Sequence, residues 1–329
     1  MFDLIKDFPG QMQQALAIGE KAEVKNTFTT DINNVLVCGL GGSGICGNLL
    51  AELLRDSLNI PVLVNKGYSL PAFANQSTLI ILSSYSGNTE ETITVGRQAI
   101  AKGLKPVCIT SGGQLAEIAH THGLCIIKIP GGFPPRACLG YSATQLFFVL
   151  HKHGLIDNSF KDFIGNTAKF LQSNQGTIMA DAEALAKYLH HKLIILYADD
   201  KYESTALRFK QQINENSKLQ AWYNVVPEMN HNELVGWREN HENLAAIILR
   251  ASDENSRNTL RILFSQEVME NLSGNIHEVT AHGANTYERH FYLIHFGDWV
   301  TYYLAVQQGY DPMEIDVLNK LKAHMQASI

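Results

Sequence analysis

LIILSSYSGNTEET, residues 79–92, is the stretch on which the fold turns. It opens on four consecutive aliphatic residues. A run of hydroxyl and amide side chains follows, broken by one glycine and closed by two adjacent acids. An unbroken apolar run leaves no face for solvent, so it predicts a strand covered on both sides, the habit of a parallel sheet. In residues 83–92 only the tyrosine has the size and character of a core side chain. Beyond them, Ile93, Gly96, Ala99 and Ile100 recur at helical spacing.

Working outward, the same alternation repeats. NVLVC (34–38), IPVLV (60–64), VCIT (107–110) and LCIIKI (124–129) read as further buried strands. Between the first two lies GLGGSG (39–44), followed by Cys46, Leu49, Leu50 and Leu53 at helical spacing. GGFPPRACLGY (131–141) interrupts the rhythm with glycines and prolines, and an aromatic-rich helix follows. Residues 156–180 are more polar and suggest a bridging segment with helical pieces. The pattern then restarts with LIILYA (193–198), a helix to about 217, AWYNVV (221–226), LAAIIL (244–249), a helix over 256–270 and IHEVTA (276–281). Helical segments at 289–308 and 314–327 close the chain. The expectation is an α/β protein with two parallel-sheet sandwich domains in tandem, residues 1–155 and 181–329, joined by residues 156–180.

Composition narrows the function classes. Of 329 residues, 45% are hydrophobic and 18% charged, a globular balance. The net charge of −6 argues against a nucleic-acid partner. No window approaches about 18 uninterrupted apolar residues, so no membrane span is expected. The N-terminal MFDLIKDFPGQMQQAL lacks the basic start and apolar run of a signal peptide. Cys38, Cys46, Cys108, Cys125 and Cys138 have no metal-knuckle spacing and read as small buried thiols of a reducing cytoplasm.

The hydroxyl cluster invites an anion. The first N–H groups of a helix have no internal partners and carry partial positive charge. A helix starting near Gly87 would set Ser84, Ser86 and Thr89 around that end, each able to donate to a phosphate oxygen. The alternative is simple capping, with Ser86 or Asn88 as N-cap and Glu90 or Glu91 as reciprocal acid. One cap explains one hydroxyl and leaves the others without a task. GLGGSG satisfies G-x-G-x-x-G, but a dinucleotide site also needs an acid at the end of the second strand. Asn65 and Lys66 stand there. A tight strand-to-helix turn is the other reading of those glycines.

S-x-S-G-x-T-x-E, here Ser84, Ser86, Gly87, Thr89 and Glu91, resembles the sugar-phosphate loop of SIS (sugar isomerase) domains, which are flavodoxin-like. In such domains the preceding glycine turn, here Gly41, Gly42 and Ser43, adds phosphate contacts. PPRACLGYS (134–142), QQINENSK (211–218), PEMNHNELVGW (227–237) and FGDWVTYYLAVQQGYDP (296–312) are similar to segments of the bifunctional phosphoglucose/phosphomannose isomerases. The resemblance runs from about residue 35 to the C-terminus. It implies a cytoplasmic, homodimeric, metal-independent aldose–ketose isomerase without cofactor, acting on glucose 6-phosphate and mannose 6-phosphate through a cis-enediol. It implies Glu215 as the proton-transferring base, His231 from the neighbouring subunit as the ring opener, and Arg136 as the group stabilising the enediolate. Lys320 retains the match of a substrate-binding lysine. Met313 stands where the family carries a threonine associated with mannose-phosphate activity. No H-x-H pair with an associated glutamate points to zinc, and adjacent His190 and His191 would diverge on any regular element. A non-catalytic sugar-phosphate-binding SIS protein is the alternative reading.

Overall fold

The computed structural model describes residues 1–238, 243–272 and 275–327. The expected second domain, residues 181–329, includes positions 239–242, 273–274 and 328–329, which lie outside the described residues. The chain divides into two compact units. One comprises Lys6–Gln175 and His282–Tyr292; the other comprises Met1–Ile5, Gly176–Ala281 and Leu293–Ile329.

The first unit is built on helix α2 (Phe8–Lys21) and five strands: β1 (Asn34–Cys38), β2 (Val62–Asn65), β3 (Thr78–Ser83), β4 (Val107–Thr110) and β5 (Ile126–Lys128). All pair in parallel, in the order β2-β1-β3-β4-β5. Crossover helices α3 (Gly41–Leu53), α4 (Glu90–Ala101) and α5 (Gly113–Thr121) follow β1, β3 and β4, and α6 (Leu139–Lys152) follows β5. Every residue of β3 is buried, as its unbroken apolar run predicts. Leu36, Ile80, Leu82 and Cys108 pack into one cluster with Val95 and Ala99 of α4 and Leu115 and Ala119 of α5. The alternate residues Val35, Val37, Leu79 and Ile81 are buried as well. Both faces are covered, which is why these strands need no polar side.

The second unit holds β6 (Leu193–Asp199), β7 (Ala221–Val226), β8 (Leu244–Arg250) and β9 (Ile276–Thr280), again all parallel, in the order β7-β6-β8-β9. Helix α8 (Glu203–Ser217) links β6 to β7, and α9 (Ser256–Glu270) links β8 to β9. The remaining helices are α1 (Phe2–Lys6), α7 (Ser159–Leu189), α10 (Thr286–Gln307) and α11 (Asp316–Ala327).

Two local readings change. The region expected to hold helical pieces is one helix, α7, because Ile164, Ala168, Leu171, Ile178, Ala182 and Leu185 keep a buried stripe throughout. And α4 begins at Glu90 rather than near Gly87. Gly87 has φ +69, and its amide donates to Ser84 Oγ while that of Asn88 donates to Ser86 Oγ, so the backbone turns before the helix can start. Four of the five cysteines are buried and all are free thiols; Cys125 lies just before β5 and is half-buried.

Candidate active site

In a doubly wound sheet the ligand crevice opens where the strand order reverses, at the carboxyl ends of the strands. In the first unit that point lies between β1 and β3, and the loops there are residues 39–44 and 84–89. The glycine turn feeds α3 directly. Gly41 takes φ +51, and the N-cap residue Leu40 offers no side-chain cap. Ser43 is buried in the first turn. In the second loop Ser84 is buried and its Oγ lies 2.8 Å from Thr89 Oγ1. Thr89 is the N-cap residue of α4 yet makes no capping bond with its side chain. Neither Ser86 nor Asn88 caps this helix. Two helix N-termini that their own N-cap side chains leave uncapped therefore face the switch point, with three hydroxyls beside them. Such a grouping of N–H dipoles and hydroxyls has the chemistry to hold an anion.

Gly87 permits the tight geometry. A Cβ there would lie 1.8 Å from the Gly112 carbonyl oxygen, so the loop after β4 is pressed against it. The arginine loop closes in from another side. A Cβ on Gly42 would lie 3.2 Å from Pro135 O and 3.8 Å from Arg136 Cα. Arg136 sits in a short 3-10 helix, Pro135–Ala137, and is only 4% exposed, unlike the surface position common for arginine. Tyr85 is 6% exposed, and its hydroxyl accepts the Phe133 N–H at 3.1 Å. The structure thus gathers Gly41, Gly42, Ser43, Ser84, Ser86, Thr89 and Arg136 at the carboxyl ends of β1 and β3.

The second sheet also reverses, between β6 and β8. Its crevice contains an internal carboxylate. Asp199 accepts from Lys201 N at 3.0 Å, Asn255 N at 3.3 Å and Asn258 Nδ2 at 2.9 Å, where Asn255 is the N-cap of α9. There Asn255 caps α9 with its own side chain, accepting from Arg257 N at 2.9 Å.

Glu215 lies in the last turn of α8 and is half-buried. The flanking motif residues hold that turn. Asn216 Nδ2 donates to Thr301 Oγ1 at 3.0 Å, and Ser217 Oγ to Thr301 O at 2.8 Å. One turn earlier, Asp298 takes Arg208 Nη2 at 2.7 Å and Gln212 Nε2 at 2.9 Å in a buried network. Burial pushes the Asp298 carboxyl above its usual range, and Arg208 offsets this only in part. Lys218, in the left-handed conformation (φ +59), ends the helix; its Nζ donates to the carbonyls of Glu215 at 2.6 Å and Glu314 at 2.7 Å. The segment bearing Met313 is thereby tied to the helix end that carries Glu215. Lys320 is exposed on α11, as are the other described side chains of that helix.

His231 ends a short 3-10 helix, Glu228–His231, and is exposed. Its neighbours are anchored. Met229 is fully buried, Asn230 Nδ2 donates to Ser265 Oγ at 2.7 Å, and Glu233 accepts from Tyr197 OH at 2.5 Å and Asn224 Nδ2 at 2.6 Å. Trp237 Nε1 adds a bond to Tyr197 OH at 3.2 Å. The motif around His231 is a clasp that leaves the imidazole outside.

Tyr85, Lys218 and the Arg208–Asp298 pair had no assigned task in the sequence reading. The acid inside the apolar run FGDWV was a visible signal for the last. Among the described residues, no group of three or more His, Cys, Asp or Glu side chains is placed to hold a metal ion, and no helix is long and apolar enough to cross a membrane.

The family model for the bacterial phospho-glucose isomerase C-terminal SIS domain matches residues 178–325, and that for the SIS domain matches residues 30–132. A bifunctional phosphoglucose/phosphomannose isomerase from Caldicellulosiruptor bescii is 38% identical over 98% of both chains. The chain belongs to the bifunctional phosphoglucose/phosphomannose isomerase family. A family member from Thermoplasma acidophilum is 35% identical over 89% of this chain and 90% of its own. A D-glucosamine-6-phosphate 4-epimerase from Sulfolobus acidocaldarius is 30% identical over 72% of this chain and 76% of its own. Among solved structures, the C-terminal domain of glucosamine-fructose-6-phosphate aminotransferase from Francisella tularensis superposes with TM-score 0.75 at 13% identity, covering 96% of this chain and 97% of that one. Tagatose-6-phosphate ketose/aldose isomerase from Escherichia coli gives 0.71 at 13% identity, covering 95% of each chain. These two likenesses share the family's fold of two parallel α/β SIS domains.

Proposed function

We propose that this family member is an aldose–ketose isomerase interconverting glucose 6-phosphate and mannose 6-phosphate with fructose 6-phosphate. The observation that carries the reading is the uncapped start of α4 at the strand-order reversal, with Ser84 and Thr89 paired beside it. A dianionic phosphate is the ligand that such dipoles and donors suit. Gly41, Gly42, Ser43, Ser84, Ser86 and Thr89 hold it.

Glu215 takes the proton from C2 of the open-chain aldose and returns it to C1, while the O2 proton passes to O1, so nothing is consumed and no metal is required. Arg136 stabilises the negative oxygen of the enediolate; its burial makes that charge count for more than it would in water. His231 shuttles the ring-opening proton, and Lys320 helps to hold substrate. The exposure of His231 supports its service to a second copy of the chain in a homodimer. Asn230 bonds the His231 segment to α9, whose Leu260, Leu263 and Phe264 form an exposed apolar face at helical spacing. In functional terms we assign phosphate anchoring to residues 1–155 and the base to residues 181–329, joined by residues 156–180. The free buried thiols fit a cytoplasmic home.

A coupled assay with each 6-phosphate, with and without EDTA, tests the reading. Turnover of both aldose phosphates, unchanged by EDTA, is the expected outcome. Tight binding of fructose 6-phosphate without any isomerisation would instead establish the sugar-phosphate-binding alternative. Loss of the mannose arm alone would trace to Met313.

A further inference from the structure

Tyr85 is the one aromatic residue inside the phosphate loop, and phosphate binding assigns it no task. Its backbone is fixed from below. The Tyr85 carbonyl accepts Ser111 N at 3.0 Å and Ser111 Oγ at 2.7 Å, so the loop after β4 holds it rigidly. Its ring is buried, and its hydroxyl reaches the arginine loop at two points. It accepts the Phe133 N–H at 3.1 Å and hydrogen-bonds the buried side chain of Cys138. Residues 133 and 138 bracket Arg136. Between them the backbone is tightened by Ala137 N donating to Pro134 O at 2.9 Å and Cys138 N to Pro135 O at 3.1 Å.

We infer that Tyr85 is a positioning residue that sets Arg136 against the phosphate loop, so that one segment fixes both the substrate's charged tail and the cation at its reacting end. This rests on the isomerase reading. The physical reason is that a guanidinium contributes most when its geometry is set before charge develops. A hydroxyl planted in the phosphate loop transmits the position of that loop to both flanks of the arginine. Burial and the Cys138 bond both raise the Tyr85 hydroxyl's pKa above its ordinary value, so it stays protonated at neutral pH and keeps donor and acceptor roles together. The ring alone would fill the space; the oxygen makes the link.

The test is Tyr85→Phe, which removes that oxygen and keeps the ring. A displaced catalytic cation should lower kcat by about 10- to 100-fold, the size of effect known for misplacements near 1 Å. The affinity for inorganic phosphate should stay within about twofold, because the Ser84, Ser86 and Thr89 hydroxyls remain. In an Arg136→Lys background the further loss from Tyr85→Phe should vanish, since the two changes remove one function. Phe133→Pro deletes the same bond from the donor side at an exposed position and should reproduce the kcat effect, which keeps the test decisive if Tyr85→Phe folds poorly. An active wild type with an unchanged Tyr85→Phe kcat, or losses that multiply with Arg136→Lys, would overturn the inference alone. A wild type without turnover would overturn the isomerase reading and this inference with it.

Discussion

At the scale of single residues, the site splits into groups legible from type and groups legible only from placement. Ser84, Ser86 and Thr89 stood out as candidates because one cap needs one hydroxyl, although Ser84 and Ser86 also accept backbone N–H groups of their own turn. Arg136 could be named by resemblance, but its burial could not be foreseen from a loop rich in proline and glycine. Asp199 illustrates the reverse. It follows an apolar strand as the hydroxyl loop does, yet it plugs its own crevice instead of awaiting a ligand. His295 makes a prediction about pH. It is fully buried, and burial lowers its pKa to about 3, with Trp299 Nε1 donating to its Nε2 at 3.2 Å. The unfolded chain takes up this proton near pH 6.5, whereas the folded chain resists until about pH 3. Stability therefore falls as pH drops through that window, by about 1.4 kcal/mol per pH unit for this one proton. His295→Gln should flatten the acid limb of the Tm against pH curve by one proton; an unchanged slope would remove His295 from the account.

Among elements, strands were read most accurately, since continuous apolar runs between loops leave little choice of register or class. Helix starts were harder. The hydroxyls of Ser84 and Ser86 compete for backbone N–H groups and delay α4 to Glu90, a local contest that periodicity does not register. The long run of α7 was also missed, because its polar faces dilute the apolar stripe. Helix α8 carries the proposed base, and its orientation depends on Asp298 of α10. Asp298→Ala takes the carboxylate from buried Arg208 and Gln212 and should cost about 3 kcal/mol or more. Chemical denaturation would report this as a lower midpoint with an unchanged m-value. A loss below about 1 kcal/mol would mean that α8 is held by its apolar contacts alone.

For the whole molecule, the two all-parallel sheets were visible in the repeat of strand and helix signals, and the internal bonding of Asp199 in the second crevice was not. In the first crevice hydroxyls line the loop after β3, and in the second the Asp199 carboxylate takes up the N–H groups around it. Glu215→Gln and His231→Ala should each be inactive, yet coexpressing them should restore activity if the base of one chain works with the histidine of its partner. If the proposed dimer forms through α9, the wild type should scatter light as a dimer and Phe264→Glu as a monomer, with turnover lost in the variant. No recovery on coexpression, despite mixed dimers, would place both residues in one chain's site.

Glu215 is the proposed carrier of the proton between C1 and C2. NMR of glucose 6-phosphate incubated in heavy water measures this directly. Wild-type protein should introduce deuterium at the exchanging carbon as fructose 6-phosphate forms. Glu215→Gln should lower both rates by at least about 100-fold while binding substrate with nearly unchanged affinity. Deuterium incorporation by Glu215→Gln at the wild-type rate would contradict the account.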